Sequence, residues 1–375
     1  MMLKKTMCIC LAIIFLMFMP IIVVQADDDL SSAVEQIESQ LEEGVSNDVR
    51  SMLDDYDIDV KDSDTVSKFS FSDTLEYIAN TVQSVVTSPL GLLGRLMAVS
   101  VICCLAKSLT AGNATLDRTY EITGVLASTV MTVSYISDGI EVVITSLSDI
   151  STFMLAYVPV YSCVITTSGG ISSGTAYYTV IFVLCQLITL VVNKIMLPFL
   201  SIIMAVSIIE SLNSFSLSTS FSASVKKISQ WILAGVTTLF VAILSIQGIV
   251  GASADTVAVR TAKFAASSFI PIIGNAVSEA YSTVTGSLGL IRSTVGGFGI
   301  IVILFTVLKP LLTVICLRAV IALASFINDV FGSKQSAKLL KCASDVLGIA
   351  VSVVVCISIV FVVATALIML TCMNM

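Results

Sequence analysis

The residues of this chain best placed to do chemistry are ionisable groups inside otherwise apolar stretches. Asp255, Arg260 and Lys263 share one segment, Glu210 and Lys309 lie in two others, and Glu121 stands close to Asp117 and Arg118. A charge at the centre of a bilayer costs at least about 2.5–3.5 kcal/mol, so such groups pair, face a cavity or reach for an interface. Glu121 reads as an interfacial residue with a structural role. Glu210 lies near Asn213 at a helix end, where the same reading applies. Lys309 precedes Pro310 deeper in a span and needs a partner; Glu210 qualifies on sign alone. None of these groups makes a proton relay by itself.

Other chemistry is limited by what the sequence lacks. There is no histidine, which removes His-based triads and HExxH zinc sites. The ten cysteines include no CxxC pair. Cys103, Cys104, Cys163, Cys185, Cys316 and Cys356 sit in apolar runs, where a reduced thiol acts as a small hydrophobe. The run Asp55, Asp57, Asp59 has the spacing of an EF-hand start. Val60 and Val66 stand where that loop requires glycine and glutamate, so a solvated acidic linker is the better reading. No Walker A pattern and no GxGD carboxylate motif occurs. The sequence therefore predicts a non-enzymatic protein with no metal and no cofactor.

What must position the charged groups is a membrane. Hydrophobic residues make up 56% of the chain and charged ones 12%, about half the usual charged share of a soluble domain. Mean hydropathy is +1.01. Of the 26 acidic residues, 16 lie between Asp27 and Glu76, with only Arg50, Lys61 and Lys68 against them. That acidic block and the lack of a basic aromatic stripe argue against nucleic acid; the lipid bilayer is the expected surroundings. The fold class expected is an all-α polytopic bundle of seven or eight spans, with interrupted or re-entrant helices.

Residues 1–26 read as a signal peptide. Lys4 and Lys5 precede an apolar core from Met7 to Met19, and Val24-Gln25-Ala26 fits cleavage after Ala26. Residues 27–88 would then be an acidic extracytoplasmic segment, with one amphipathic helix on Val34, Ile37 and Leu41 and a second from Phe69 to Val86. Residues 89–375 form the membrane domain. At about 20 apolar residues per span, candidates fall at 92–111, 119–137, 151–167, 176–193, 199–213, 230–250, 297–317 and 346–371. The base-free stretch from Asp138 to Asp149 is expected as an outer loop, and Lys226, Lys227, Arg318, Lys334, Lys338 and Lys341 fall inside. Eight spans with both termini outside satisfy these cues; a seven-span version needs one re-entrant hairpin. Gly124 with Ser128, and Gly248 with Ala252, are expected to let helices approach closely.

Residues 251–296 resist this scheme. They are apolar but cut by Pro271, Gly274, Gly286 and Gly289, which predicts two half-length helices around Pro271. Broken helices at membrane depth line cavities in many transporters. Asp255, Arg260, Lys263, Pro271 and Gly274 are thus candidates for lining a path or packing a broken helix. An external amphipathic hairpin with solvated charges explains the same pattern.

Two blocks carry a family resemblance. SGGISSGTAYYTVIF at 168–182 and, above all, GIVGASADTVAVRTAKFAASSFIPIIGNAVSEA at 248–280, with the turn from Lys194 to Pro198, resemble the stage III sporulation protein AE family. The resemblance covers roughly residues 70–371. It implies a protein of endospore-forming bacteria in the mother-cell membrane around the forespore. There it would work with other stage III sporulation proteins of the same operon and a forespore membrane partner, as a permease-like part of a channel or secretion-like complex. A scaffold that conducts nothing and a stand-alone small-molecule transporter stay open as alternatives, as does a homo-oligomer.

Overall fold

A computed structural model describes residues 45, 49–51, 53, 71–109, 114–191, 194, 197–212, 218–269 and 274–373. Seven helices carry the described part of the membrane domain: α1 Phe71–Leu109, α2 Ala114–Thr167, α3 Ile171–Val191, α4 Leu197–Leu212, α5 Ser218–Phe269, α6 Gly274–Val330 and α7 Lys334–Met373. The expected signal peptide, its cleavage after Ala26, and the acidic stretch to Lys68 lie outside the described residues apart from a few positions between 45 and 53.

Among the described residues, six helical stretches are long and apolar enough to cross a membrane: Ile78–Leu109, Thr115–Thr167, Ile171–Ile188, Lys227–Thr261, Ile291–Val330 and Lys334–Leu370. The chain is a helical membrane bundle. Several of these helices are longer than the spans expected from the sequence. Spans expected at 119–137 and 151–167 are one helix, α2, of 54 residues. The outer loop expected between them is helical because nothing in it stops a helix. Ile136, Ile140, Val143, Leu147, Ile150, Met154, Tyr157 and Tyr161 are all buried, at helical spacing straight through the presumed loop. At about 1.5 Å per residue α2 is about 81 Å long, against about 30 Å of hydrocarbon.

The same correction applies elsewhere. The amphipathic helix expected from Phe69 and the first span are one helix, α1, which runs through Pro89; the expected border at 88/89 falls inside it. Residues 319–330, which fall between the spans expected at 297–317 and 346–371, continue α6, which runs through Pro310. Neighbouring helices can re-satisfy the backbone groups that proline frees. The half-length helices expected in 251–296 are parts of long ones. Residues 251–269 finish α5 and Gly274 opens α6, which leaves only 270–273, including Pro271, outside the described residues. The fifth expected span, α4, has 16 residues and is short for a crossing.

The final helix organises the bundle. α7 packs against α6 most extensively and also against α5, α2, α4 and α3. Leu339, Leu340, Ala343, Val346, Leu347, Ala350, Val354, Phe361 and Ala364 are buried along it. Lipid tails are as apolar as leucine, so such helices associate through close packing and hydrogen bonds. Gly124 meets Cys103 Sγ, at 3.1 Å from where its Cβ would stand. Lys107 Nζ lies 3.9 Å from Glu121 Oε1, tying α1 to α2 beside their connection and giving Glu121 the structural role expected of it.

At that same end Ser100 Oγ and Asn328 Oδ1 are 2.7 Å apart, both buried, and Asn328 Nδ2 donates to Ala324 O. This polar contact joins α1 to α6. Asn328→Leu should destabilise the detergent-solubilised protein by about 0.6–1.7 kcal/mol, the range for interhelical hydrogen bonds in membranes. A thermal melt followed by size-exclusion chromatography checks it; an unchanged midpoint would mean the contact carries no stability.

Candidate functional site

The two sequence blocks meet in space. α2 ends at Thr167 in a tight reversal: Gly170 N donates to Ile165 O at 3.0 Å and Gly169 N to Thr166 O at 3.1 Å. Gly169 has φ of +98°, a left-handed position that costs glycine nothing. This is a Schellman closure, and the Phe331–Ser333 turn between α6 and α7 repeats it with Gly332. The residue before α3 is then Gly170, which has no side chain to cap the helix.

Asp255 supplies the missing cap from another helix. Its Oδ1 accepts from Ser172 N at 2.7 Å and its Oδ2 from Ser173 N at 2.8 Å. The carboxylate is 2% exposed. It satisfies two N–H groups that the first turn leaves without helical partners and sits at the positive end of the helix dipole. One turn earlier on α5, Gly251 lies flat against the same turn. A Cβ there would be 3.1 Å from Ser173 Cα and 3.2 Å from Ser173 N. Gly251 and Asp255 thus form one face of α5 that clamps the start of α3.

A third helix reaches this junction. Ser168 Oγ donates to Val164 O at 2.6 Å and lies 3.5 Å from Leu288 O of α6. Arg292, one turn further along α6, is 6% exposed. Two buried residues of opposite charge, Asp255 and Arg292, therefore belong to helices that converge on one turn.

Below the junction the bundle is filled by aromatic rings. Phe153, Tyr157 and Tyr161 stack at 5.3 Å steps along α2, and Tyr161 meets Tyr177 of α3 edge-on at 5.5 Å. Tyr157 Oη donates to Val295 O of α6 at 3.2 Å, and Tyr177 Oη is 3.3 Å from Thr365 Oγ1 of α7. Lower down, α3, α5 and α7 line an open apolar groove of about 110 Å³ beside Leu184, Phe240 and Val360.

The other expected site residues are dispersed. Arg260 is exposed on α5 beyond the clamp. Lys263 is helical, but its side chain lies outside the described residues, as does that of Glu210 on α4. Gly274 is the first residue of α6. Lys309 is exposed on α6, while α4 packs on α7, α2 and α5.

One feature escaped sequence reading. Asp138, Glu141, Thr145, Ser148 and Thr152 form an exposed polar lane along α2. The assumption of a loop hid it, although the apolar period of the opposite face was present.

Residues 59–372 match the sequence model of the family described as Stage III sporulation protein AE. The chain is also similar to the Stage III sporulation protein AE of Bacillus subtilis (strain 168), with 26% identity over 250 residues, covering 64% of this chain and 61% of the relative. The alignment thus spans less than two thirds of that relative's length. No solved structure matches the chain.

Proposed function

The chain belongs to the stage III sporulation protein AE family, and from that premise we propose that it is a non-enzymatic, multi-pass component of a channel or secretion-like complex linking mother cell and forespore. In this reading it sits in the mother-cell membrane around the forespore, with residues 27–88 in the space between the two membranes. It is the permease-like core, working with the other stage III sporulation proteins and a forespore membrane partner. The observation that carries the reading is the Asp255 junction. It ties α5 to the start of α3, just before Arg260 and Lys263 and the approach to 270–273. A passage would run beside that end of α5.

The test separates charge from folding. Arg260→Ala and Lys263→Ala should each lower sporulation frequency sharply, as expected for loss of a functional charge in a membrane segment. Protein levels in the membrane should stay normal. Full sporulation in both variants would refute the path reading.

One observation favours a second reading, a scaffold that conducts nothing. The centre of the described bundle is filled by Tyr157, Tyr161 and Tyr177, all buried. A scaffold predicts that charge changes across 251–296 are silent, while deletion of 27–88 abolishes partner recruitment.

A further inference from the structure

α5 is poorly covered by its own chain. Only 11% of its membrane-length apolar window is buried, and Ile228, Trp231, Ile232, Val236, Leu239, Ile243 and Ile246 form a bulky exposed stripe. Lys227, also exposed, heads that stripe. On α2 the exposed lane is the opposite in character. Asp138 and Glu141 are followed by the small residues Thr145, Ser148 and Thr152.

The two faces match in height. Asp255 meets the α2–α3 turn, so that turn is a common origin. At about 1.5 Å per residue, Lys227 lies about 42 Å down α5, while Glu141 and Asp138 lie about 40 Å and about 45 Å down α2. Trp231 and Ile232 then fall level with Thr145, Val236 with Ser148, and Leu239 with Thr152. Lower down, Leu184 and Ile188 of α3, Leu233 and Phe240 of α5, and Val353 and Val360 of α7 line one apolar groove.

The two faces are also free to act together. α3 and α7 each pack against both α2 and α5, so they lie between them. Among the described residues, no ion pair engages Asp138, Glu141 or Lys227. Opposite charges at one level attract, so a lysine level with two carboxylates is their natural partner.

We propose that copies of this chain pack head to tail. The outer face of α5 of one copy docks on the polar lane of α2 of the next, with Lys227 between Asp138 and Glu141, and the bulky stripe seats on the small residues. Such a contact uses two different faces, so it repeats into a ring or a chain and does not stop at a two-fold pair. It holds for a conducting assembly and for a scaffold alike.

The test uses full-length chain in membranes, with native cysteines replaced and two different tags. One copy carries Lys227→Cys and the other Glu141→Cys. Oxidation should give a mixed-tag dimer when the two are co-expressed and none when either is expressed alone. A chain carrying both should give a ladder. An intramolecular control, Ser100→Cys with Asn328→Cys, shows that the fold and the oxidant are sound. Dimers from Lys227→Cys alone would mean a two-fold contact and overturn the proposal. So would no mixed dimer while the control closes. In parallel, Lys227→Glu should cut co-purification of the two tags by about tenfold, and Asp138→Lys with Glu141→Lys in both copies should restore it. Failure of that rescue would also overturn the pairing.

Discussion

Asp255→Ala should remove most of the folded protein from the membrane and abolish sporulation. The substitution takes away a charged acceptor that binds two backbone N–H groups at 2.7 and 2.8 Å. Hydrogen bonds to charged groups contribute about 1.5–3 kcal/mol, and a buried donor left without a partner costs about 1–3 kcal/mol. Ser173 is fully buried and Gly251 packs directly on it, so water has little room to replace the carboxylate. The expected loss is about 3 kcal/mol or more, a large part of the total for a marginally stable fold. Asp255→Asn separates the contributions of charge and shape. It keeps one acceptor oxygen but turns the other towards Ser172 or Ser173 as an NH2 group, a donor facing a donor. It should therefore fail nearly as badly as alanine, while Asp255→Glu should recover little because Gly251 holds the helices too close for the longer side chain. Membrane abundance and thermal unfolding of the tagged protein measure all three. Near-normal stability of Asp255→Asn would show that the clamp is not what holds α3 to α5.

This junction shows how far the sequence could be read. Both of its halves stood out as family blocks, and Asp255 stood out as a charge in an apolar segment. Nothing in the order of residues said that they touch, because a helix cap normally comes from the adjoining residue and here it comes from another helix. The sequence left residues 251–296 open to two readings, a broken helix lining a path and an external amphipathic hairpin with solvated charges. In the folded chain Asp255 accepts from the first backbone N–H groups of α3. The helical membrane class was plain from the apolar composition, but the lengths were not. Counting about 20 residues per span broke α2 at Asp138, where its buried face continues unchanged from Ile136 to Tyr161. The polar lane was lost with that break, and with it the side chains that make α2 differ from α5.

The tyrosine column was invisible for a different reason: it depends on glycines of a distant helix. Gly296 and Gly299 of α6 lie against Tyr161 and Tyr157. A Cβ on Gly299 would stand 2.4 Å from Tyr157 Cζ, and one on Gly296 would stand 2.7 Å from Tyr161 Oη. Tyr157 has nowhere to go, since it stacks on Phe153 and Tyr161 and its hydroxyl is bound to Val295 O. Gly299→Ala should therefore push α6 away from α2 and destabilise the protein by about 1–3 kcal/mol, the usual cost of overpacking a filled core. The sign is the informative part. In an open helical position Gly→Ala stabilises by up to about 1 kcal/mol, and Gly235, with nothing within 4 Å of its would-be Cβ, should behave that way. Adding Tyr157→Leu to Gly299→Ala removes the ring that clashes. The pair should be more stable than the sum of the single effects by about 0.5–3 kcal/mol, the coupling expected for residues in contact. Melting midpoints of the four proteins in one detergent give that coupling directly. If the two changes simply add, the close approach of α6 to the tyrosines is not a feature of the folded protein. If they couple as expected, α2 and α6 are held together at that level by the fit of Tyr157 and Tyr161 against Gly299 and Gly296.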